Sequence, residues 1–565
     1  MRKLRKSDVA KQAGMKTPNA WRNLFPAITT RNLLILSVVI SLISLVLQND
    51  VGFNIADEGF LWYGTIRAGL GDVPVRDFQA YDPGRYYFGA LWFKILHNDG
   101  ILALRFSQTI FQFLGLTTAL FLLRRVLNSW ITLIAGAMIL LKWMFPIWKI
   151  YEPVILILAI YFAVRIIEKP SRGRYFVAGV FIGLFAFFGR NHGLYCSAGF
   201  LLLTLFSWWK IDKRALPQRL AALALGTIIG YLPMWCMLAC IPGFYGSFLE
   251  TVVYNVRHGT NLHIPVPWPW LQSYGGVGLR EATNRLTIGL LYVGFPCFYI
   301  LAFASLLWKT KAQPHPILIA SAFIGAPYLH YTFDRPHLYY LAWTIPPIIL
   351  GLIAVPASFS RQHRLKISVG VWCILALFTL CATGLSEENY LLVKAKSLVK
   401  AKLLRRSGGD FANAMYNYGL TKTDIRGDNL WATTDTAETV NNAKALQLQF
   451  IPTNEEILIA PYLPGLYPIY GRRSPVWEIY FLLPQPPSKE EKMVEDLERN
   501  RVNWALVCHY YMDNRPELAF EHTHPYVWDY LNKNFQRVLP DQSAPLQHEC
   551  ELLKRNTPES SSLTR

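Results

Sequence analysis

Long apolar runs separated by short polar breaks fill the first two thirds of the chain, and the pattern changes near residue 385. A helix that crosses a bilayer needs roughly 20 mostly apolar residues to span about 30 Å of hydrocarbon. Eleven stretches fit: 32–48, 101–123, 130–147, 153–168, 174–189, 193–209, 219–241, 286–308, 315–333, 338–357 and 366–384. The fifth and sixth are parted only by Gly189, Arg190, Asn191, His192 and Gly193, which are too polar for lipid and predict a tight turn between two helices. Beyond 385 the apolar runs shrink to four or five residues, at 456–460 and 504–508, and each predicts a short buried strand. Between them 488–500 predicts a helix with Ser488 as its cap and acids in its first turn, and 525–535 predicts a second. Alternating strand and helix point to a small α/β domain over 385–555, followed by a disordered Ser-rich end at 556–565.

Charge orients this pattern. Only 16% of the 565 residues are charged against 52% hydrophobic, and the mean hydropathy is +0.23. Soluble domains carry about 25% charged residues, so these values exclude a disordered, collagenous or coiled-coil chain and argue against an ordinary cytosolic enzyme. The net charge of +19 does not imply a nucleic-acid partner, because cytoplasmic loops of membrane proteins collect Lys and Arg. The N-terminal segment 1–31 (Arg2, Lys3, Arg5, Lys6, Lys11, Lys16), then Arg124 with Arg125, 165–174, 210–219, Lys309 with Lys311, and 361–366 are all basic and alternate to one side. The opposite loops carry Asp57, Glu58, Asp72, Asp77 and Asp82 and a Pro/Trp-rich stretch at 242–285. An odd number of spans sends the tail to that opposite side. The expected architecture is a polytopic α-helical membrane protein with a 32–384 helical module, an outer loop at 49–100 with interfacial helices, and a soluble C-terminal α/β domain. A cleavable signal peptide is not expected, since the first apolar run follows a long basic segment.

Six of the eight cysteines (Cys196, Cys236, Cys240, Cys297, Cys373, Cys381) sit in apolar runs and read as core residues. Cys508 and Cys550 lie in the polar tail, where an oxidising compartment would let them pair. CxxC, HExxH, Walker A and strand-framed GxGxxG motifs do not occur, which argues against the common metalloprotease, NTPase and dinucleotide folds.

Four polar clusters fall on the expected outer face. Asp57 and Glu58 follow the first span; they read either as the acidic N-terminus of an amphipathic interfacial helix or as a general base beside the bilayer. Asp82, in a Tyr-Asp-Pro-Gly-Arg string, reads either as a turn or as part of a site. Arg190 with His192, and Asp334, Arg335 and His337, add cations, an acid and imidazoles at two short turns. Arg257, His258 and His263 lie in a longer loop, and their spacing gives no support to a metal site. The spans themselves are nearly free of ionisable residues, apart from interface positions such as Lys142, Lys149 and Glu152. A channel or transporter would place polar groups along its spans, so transport is disfavoured; a flippase of lipid-linked saccharides and a non-catalytic membrane scaffold remain as alternatives.

These residues resemble the GT-C membrane glycosyltransferases, in particular the protein O-mannosyltransferase and aminoarabinose–lipid A transferase branch (glycosyltransferase family 39-like). The likeness rests on Asp57 with Glu58, on Val75, Arg76, Asp77 and Phe78, on Asp82 with Pro83, on the turn at Arg190 to Gly193, on the loop at Asp334 to His337, and on the tail string from Leu466 to Arg473. The resemblance implies a catalytic carboxylate in the first outer loop and a sugar donor linked to a polyprenyl phosphate. It implies Asp57 as base with Glu58 second, Arg190, Arg257 and Arg335 as phosphate partners, and Asp82, Asp334, His192 and His337 around sugar or acceptor. Direct attack with one base would invert the anomeric centre. No cofactor is required by this chemistry, although some members of the group use a divalent cation. The expected partners are the lipid-linked donor, membrane lipids, and a lipid, glycan or protein acceptor. The expected location is a bacterial inner membrane, with a cytoplasmic N-terminus and a periplasmic tail.

Overall fold

The computed structural model describes residues 27–210, 213, 215–259, 262–307, 314–384, 412, 415–509, 511–538 and 550–556. Most of the basic N-terminal segment, Lys309, Lys311, the start of the tail and the Ser-rich end lie outside the described residues, as does the His258 side chain.

The helical part runs α1 (Thr30–Gln48), α2 (Asp57–Gly69), α3 (Pro83–Leu96), α4 (Ile101–Leu123), α5 (Trp130–Trp143) and α6 (Tyr151–Glu168). It continues through α7 (Arg172–Ala186), α8 (Arg190–Lys210), α9 (Leu216–Gly230), α10 (Leu232–Cys240), α11 (Phe244–His258) and α12 (Leu279–Leu307). The last members are α13 (Pro316–Gly325), α14 (Tyr328–Asp334), α15 (Leu338–Thr344), α16 (Pro346–Ala354) and α17 (Arg361–Thr379). The described part of each apolar stretch falls on one of these helices or on a consecutive pair. Among the described residues, 4 helices are long and apolar enough to cross a membrane, or up to 6 if each bent pair counts as one span. The bends, 51° between α9 and α10 and 50° between α15 and α16, coincide with Pro233, Pro346 and Pro347. Proline removes a backbone donor and clashes with the preceding turn.

Packing places α6 at the centre, buried along most of its length among Leu116, Leu120, Ile324 and Ile349. α7 and α9 meet backbone to backbone: a methyl group on Gly179 would collide with the Leu223 carbonyl, and one on Gly226 with the Phe176 carbonyl. Glycines four apart on both helices (Gly179 and Gly183, Gly226 and Gly230) permit that approach.

In the tail, β1 (Leu420–Ile425) and β2 (Asp428–Thr433) form a hairpin turned by Arg426 and Gly427, both at positive φ. The strands β3 (Ile457–Ala460), β4 (Trp504–Cys508), β5 (Phe535–Arg537) and β6 (Cys550–Arg555) form a sheet in the order β3-β4-β6-β5. β3 and β4 are parallel, and the helix Pro487–Arg499 lies between them in sequence. That helix begins one residue before Ser488, with Pro486 rather than Ser488 at the cap position and Pro487 at the first helical position, where a missing N–H leaves nothing unsatisfied. Cys508 pairs with Cys550 across β4 and β6, and a disulfide joins them.

The tail is clamped onto residues 49–100. Gln79 accepts from the Ile479 and Tyr480 amides at 3.1 and 2.9 Å, and the Trp477 indole donates to the Val75 carbonyl at 3.0 Å. Gly59 on α2 abuts Gly465, where a Cβ would sit 2.6 Å from the Gly465 Cα, and the Gly465 amide donates to the Ile55 carbonyl. As a result α2 is buried continuously over Glu58–Thr65 rather than along one stripe. The expected one-sided amphipathic helix is replaced by one enclosed between α3 and the tail.

Candidate functional site

The segment between α1 and α2 is organised by one arginine. Arg105, 2% exposed in the first turns of α4, donates from Nε to Glu58 Oε1 and from Nη2 to Glu58 Oε2, both at 2.7 Å. Its remaining donors reach the carbonyls of Asn49, Val51 and Gly52 at 2.8, 3.1 and 2.7 Å. Glu58 is 0% exposed. A buried ion pair is sound only with such geometry and with its remaining donors satisfied. Glu58 therefore ties the chain after α1 to α4.

Asp57, one residue earlier, is in the opposite situation. It is half-buried, and among the described residues its carboxylate has no hydrogen-bond or ion-pair partner. Its own amide donates to Asn54 Oδ1 at 2.7 Å, so the capping role falls to Asn54.

Around Asp57 the fold gathers Tyr81, Arg85, Lys149, Glu152, Arg335 and His337. The Lys149 ammonium lies 4.0 Å above the Tyr81 ring and 5.7 Å from that of Trp343, and the Arg85 guanidinium lies 5.0 Å from the same Tyr81 ring. Arg85 approaches Glu152 at 3.4 Å and donates to the Phe188 carbonyl at 2.9 Å. Among the described residues the Lys149 ammonium has no ion-pair or hydrogen-bond partner, and the buried Glu152 Oε2 has no hydrogen-bond partner. Burial pushes the Lys149 ammonium down from its ordinary value; Glu152 and Asp57 oppose this, while Arg85 and Arg335 add to it. Burial likewise drives the Tyr81 phenol far up, and Asp57 reinforces the shift. A carboxylate and an ammonium, each without a polar partner among the described residues, thus act on one another beside the Tyr81 and Trp343 rings. Such a cluster suits an anionic ligand on the lysine and a proton acceptor at Asp57.

The other expected site residues divide. Asp82, 8% exposed, lies 2.8 Å from the Arg190 guanidinium and accepts the Arg190 amide at 2.8 Å, so the two neutralise each other. Arg335 pairs with Asp513 of the tail through both carboxylate oxygens, at 3.0 and 2.8 Å. His337 is exposed at the start of α15, with Asp57, Arg335 and Asp513 all acting on it electrostatically. Asp334 is half-buried at the end of α14. His192 turns inward, 3% exposed, and its Nδ1 meets the Tyr328 hydroxyl at 3.0 Å. Arg257 is exposed on α11. Among the described residues no group of three or more His, Cys, Asp and Glu is arranged to hold a metal.

Sequence reasoning passed over Lys149, noted only as an interface position, and Arg105, a single charge inside the apolar stretch 101–123. It also missed Asp513, 178 residues from its partner. For Arg105 half of the signal was there, since an ionisable residue at that depth needs a partner; that the partner is Glu58, 47 residues away, comes only from the fold.

No family model matches the chain, and no curated protein matches it. Among solved structures, ArnT from Cupriavidus metallidurans bound to undecaprenyl phosphate aligns with a TM-score of 0.50 at 13% identity, covering 94% of this chain and 99% of that one. The archaeal oligosaccharyltransferase AglB from Archaeoglobus fulgidus, in complex with an inhibitory peptide and a dolichol-phosphate, aligns with a TM-score of 0.40 at 12% identity, covering 85% and 69%. The same organism's oligosaccharyltransferase in the apo form gives 0.44 at 13% identity, covering 90% and 73%. The mostly helical course of the chain, with apolar spans and small C-terminal sheets, shares the fold of ArnT over nearly its full length.

Proposed function

We propose that the protein is an inverting glycosyltransferase that moves a sugar from a polyprenyl-phosphate-linked donor to an acceptor at the outer, periplasmic face of a bacterial inner membrane. The observation that carries this reading is an Asp57 carboxylate without a partner among the described residues, acting electrostatically on a Lys149 ammonium that lies 4.0 Å over the Tyr81 ring. ArnT, with the same fold, is seen with undecaprenyl phosphate. In the reaction an acceptor hydroxyl gives its proton to Asp57 as its oxygen bonds to the anomeric carbon. The bond from that carbon to the phosphate oxygen breaks, and polyprenyl phosphate leaves with the electron pair. General-base help of this kind contributes about 10²–10⁴-fold. Lys149 and Arg335 meet the growing charge on the phosphate, and His337 and Asp334 face sugar or acceptor. Glu58 holds Asp57 in place rather than acting as a second base. The leaving phosphate is a stable anion, so the scheme needs no cofactor; a divalent cation would assist it.

The topology that fits is eleven spans, a cytoplasmic N-terminus, and residues 385–555 as a periplasmic domain whose Cys508–Cys550 bridge suits an oxidising compartment. A lipid, glycan or protein would serve as acceptor. The test is the fate of the donor's sugar–phosphate bond in purified protein supplied with radiolabelled undecaprenyl-phosphate sugars. Release of undecaprenyl phosphate with label passing to an acceptor is expected. An intact donor, merely moved between leaflets, would identify a flippase and overturn the reading.

A further inference from the structure

The Arg335–Asp513 pair joins the end of α14 to a tail loop, and Arg335 belongs to the charged cluster around Asp57, since it acts electrostatically on Tyr81, Lys149 and His337. Both carboxylate oxygens accept from one nitrogen, Arg335 Nη2, at 3.0 and 2.8 Å. A phosphate can take the guanidinium through two of its nitrogens at once, a stronger geometry than this one-nitrogen contact. Both side chains keep about a quarter of their surface in water, 24% and 26%, so the pair exchanges readily. Asp513 also sits in the left-handed region at φ 56 and ψ 26, which an aspartate leaves at a gain once its contact is broken. Next to it the loop is held across the cleft by a long 3.3 Å bond from Arg515 to the His263 carbonyl. Lys149 has no ion pair with Asp513, so an incoming phosphate gains a second cation that the carboxylate does not reach.

We propose that Asp513 is an internal competitor for the donor: its carboxylate occupies Arg335 while the site is empty, and the donor's phosphate displaces it and frees the 511–518 loop of the tail. This rests on the polyprenyl-phosphate reading of the site. Tail and membrane module are thereby coupled, and the loop moves away from Arg335 at the moment the donor is seated, opening the aqueous side to an acceptor.

The experiment is binding of undecaprenyl phosphate to the purified full-length chain and its variants, with melting curves to establish folding. Asp513→Asn removes the competitor's charge and should bind about two- to fivefold more tightly, the scale of a partly exposed ion pair. Asp513→Glu should stay near wild type, and in an Arg335→Ala background Asp513→Asn should change nothing. Undecaprenyl phosphate should also speed proteolysis within 511–518 in the wild type. Binding by Asp513→Asn that is unchanged or weaker would overturn the competitor role, because a residue that merely positions Arg335 would weaken binding when lost. Wild-type protein that binds no undecaprenyl phosphate would overturn the donor reading and this inference with it; tight wild-type binding without a gain in Asp513→Asn overturns this inference alone.

Discussion

Asp57 and Glu58 are neighbours with the same chemistry in opposite surroundings. Successive helical residues point about 100° apart, and here that rotation separates a structural side of α2 from an open one. On the structural side Glu58 is sealed at 0% exposure and held by two bonds from Arg105. On the open side the Asp57 carboxylate faces Lys149 and Tyr81 with no partner among the described residues. The same pair of letters therefore supplies an anchor and an acid left without a partner among the described residues, and it is the long-range packing of α4 and the tail that separates them.

The largest stability effect expected is on the anchor. Glu58→Ala leaves the Arg105 charge buried and unpaired, at a cost of about 3–5 kcal/mol, read as a lower melting temperature and poor yield. Arg105→Ala should behave alike, and the double variant should lose clearly less than the sum. Additive losses would mean that the two do not act as a unit. A smaller loss is expected at Gly59, where a methyl group would press on the Gly465 backbone; Gly59→Ala should cost about 1–3 kcal/mol and lower kcat by moving Asp57. On the open side, Lys149→Ala should raise the donor KM about tenfold with little change in melting temperature, and Lys149→Arg should restore part of it. An unchanged KM would remove Lys149 from the phosphate.

The smallest effect belongs to a wetter pair in the tail. The hydrogen bond to Glu551, at 2.5 Å, raises His509 above its ordinary 6.5 against the opposing effect of burial, and the same bond lowers Glu551 below its ordinary 4.5. The His509 contribution is whole below about pH 6.5 and fades as pH rises through its raised value; that of Glu551 is whole above about pH 4.5 and fades on acidification. Tail stability should therefore decline from pH 6.5 towards 8, and His509→Gln should flatten the slope without touching donor turnover. An equal slope in the variant would dismiss the pair.

Much of this was legible along the chain because helix and strand periods are local. The apolar stretches fall on helices, the strand at 504–508 has the expected bounds, and 488–500 is a helix displaced by one residue. β6, by contrast, escaped notice, its pattern broken by Glu551 and Lys554, and its pairing with β4 comes from 42 residues away. The site was legible in its acids and only partly in its cations. Glu58 reads in sequence as a second base behind Asp57, and only Arg105 shows that it is held as an ion-pair partner. Arg190 and Arg335 looked free in sequence, but each is met by a carboxylate, Asp82 or Asp513, that only the tertiary fold brings near. His192 looked polar at a turn, yet the first turn of α8 rotates it onto Tyr328.

The most direct test of the division between the two acids is single-turnover sugar transfer from an undecaprenyl-phosphate donor by Asp57→Asn, with the melting temperature recorded on the same sample. A loss of at least about 10²-fold in rate at an unchanged melting temperature is the predicted result. Transfer at near wild-type rate would contradict it.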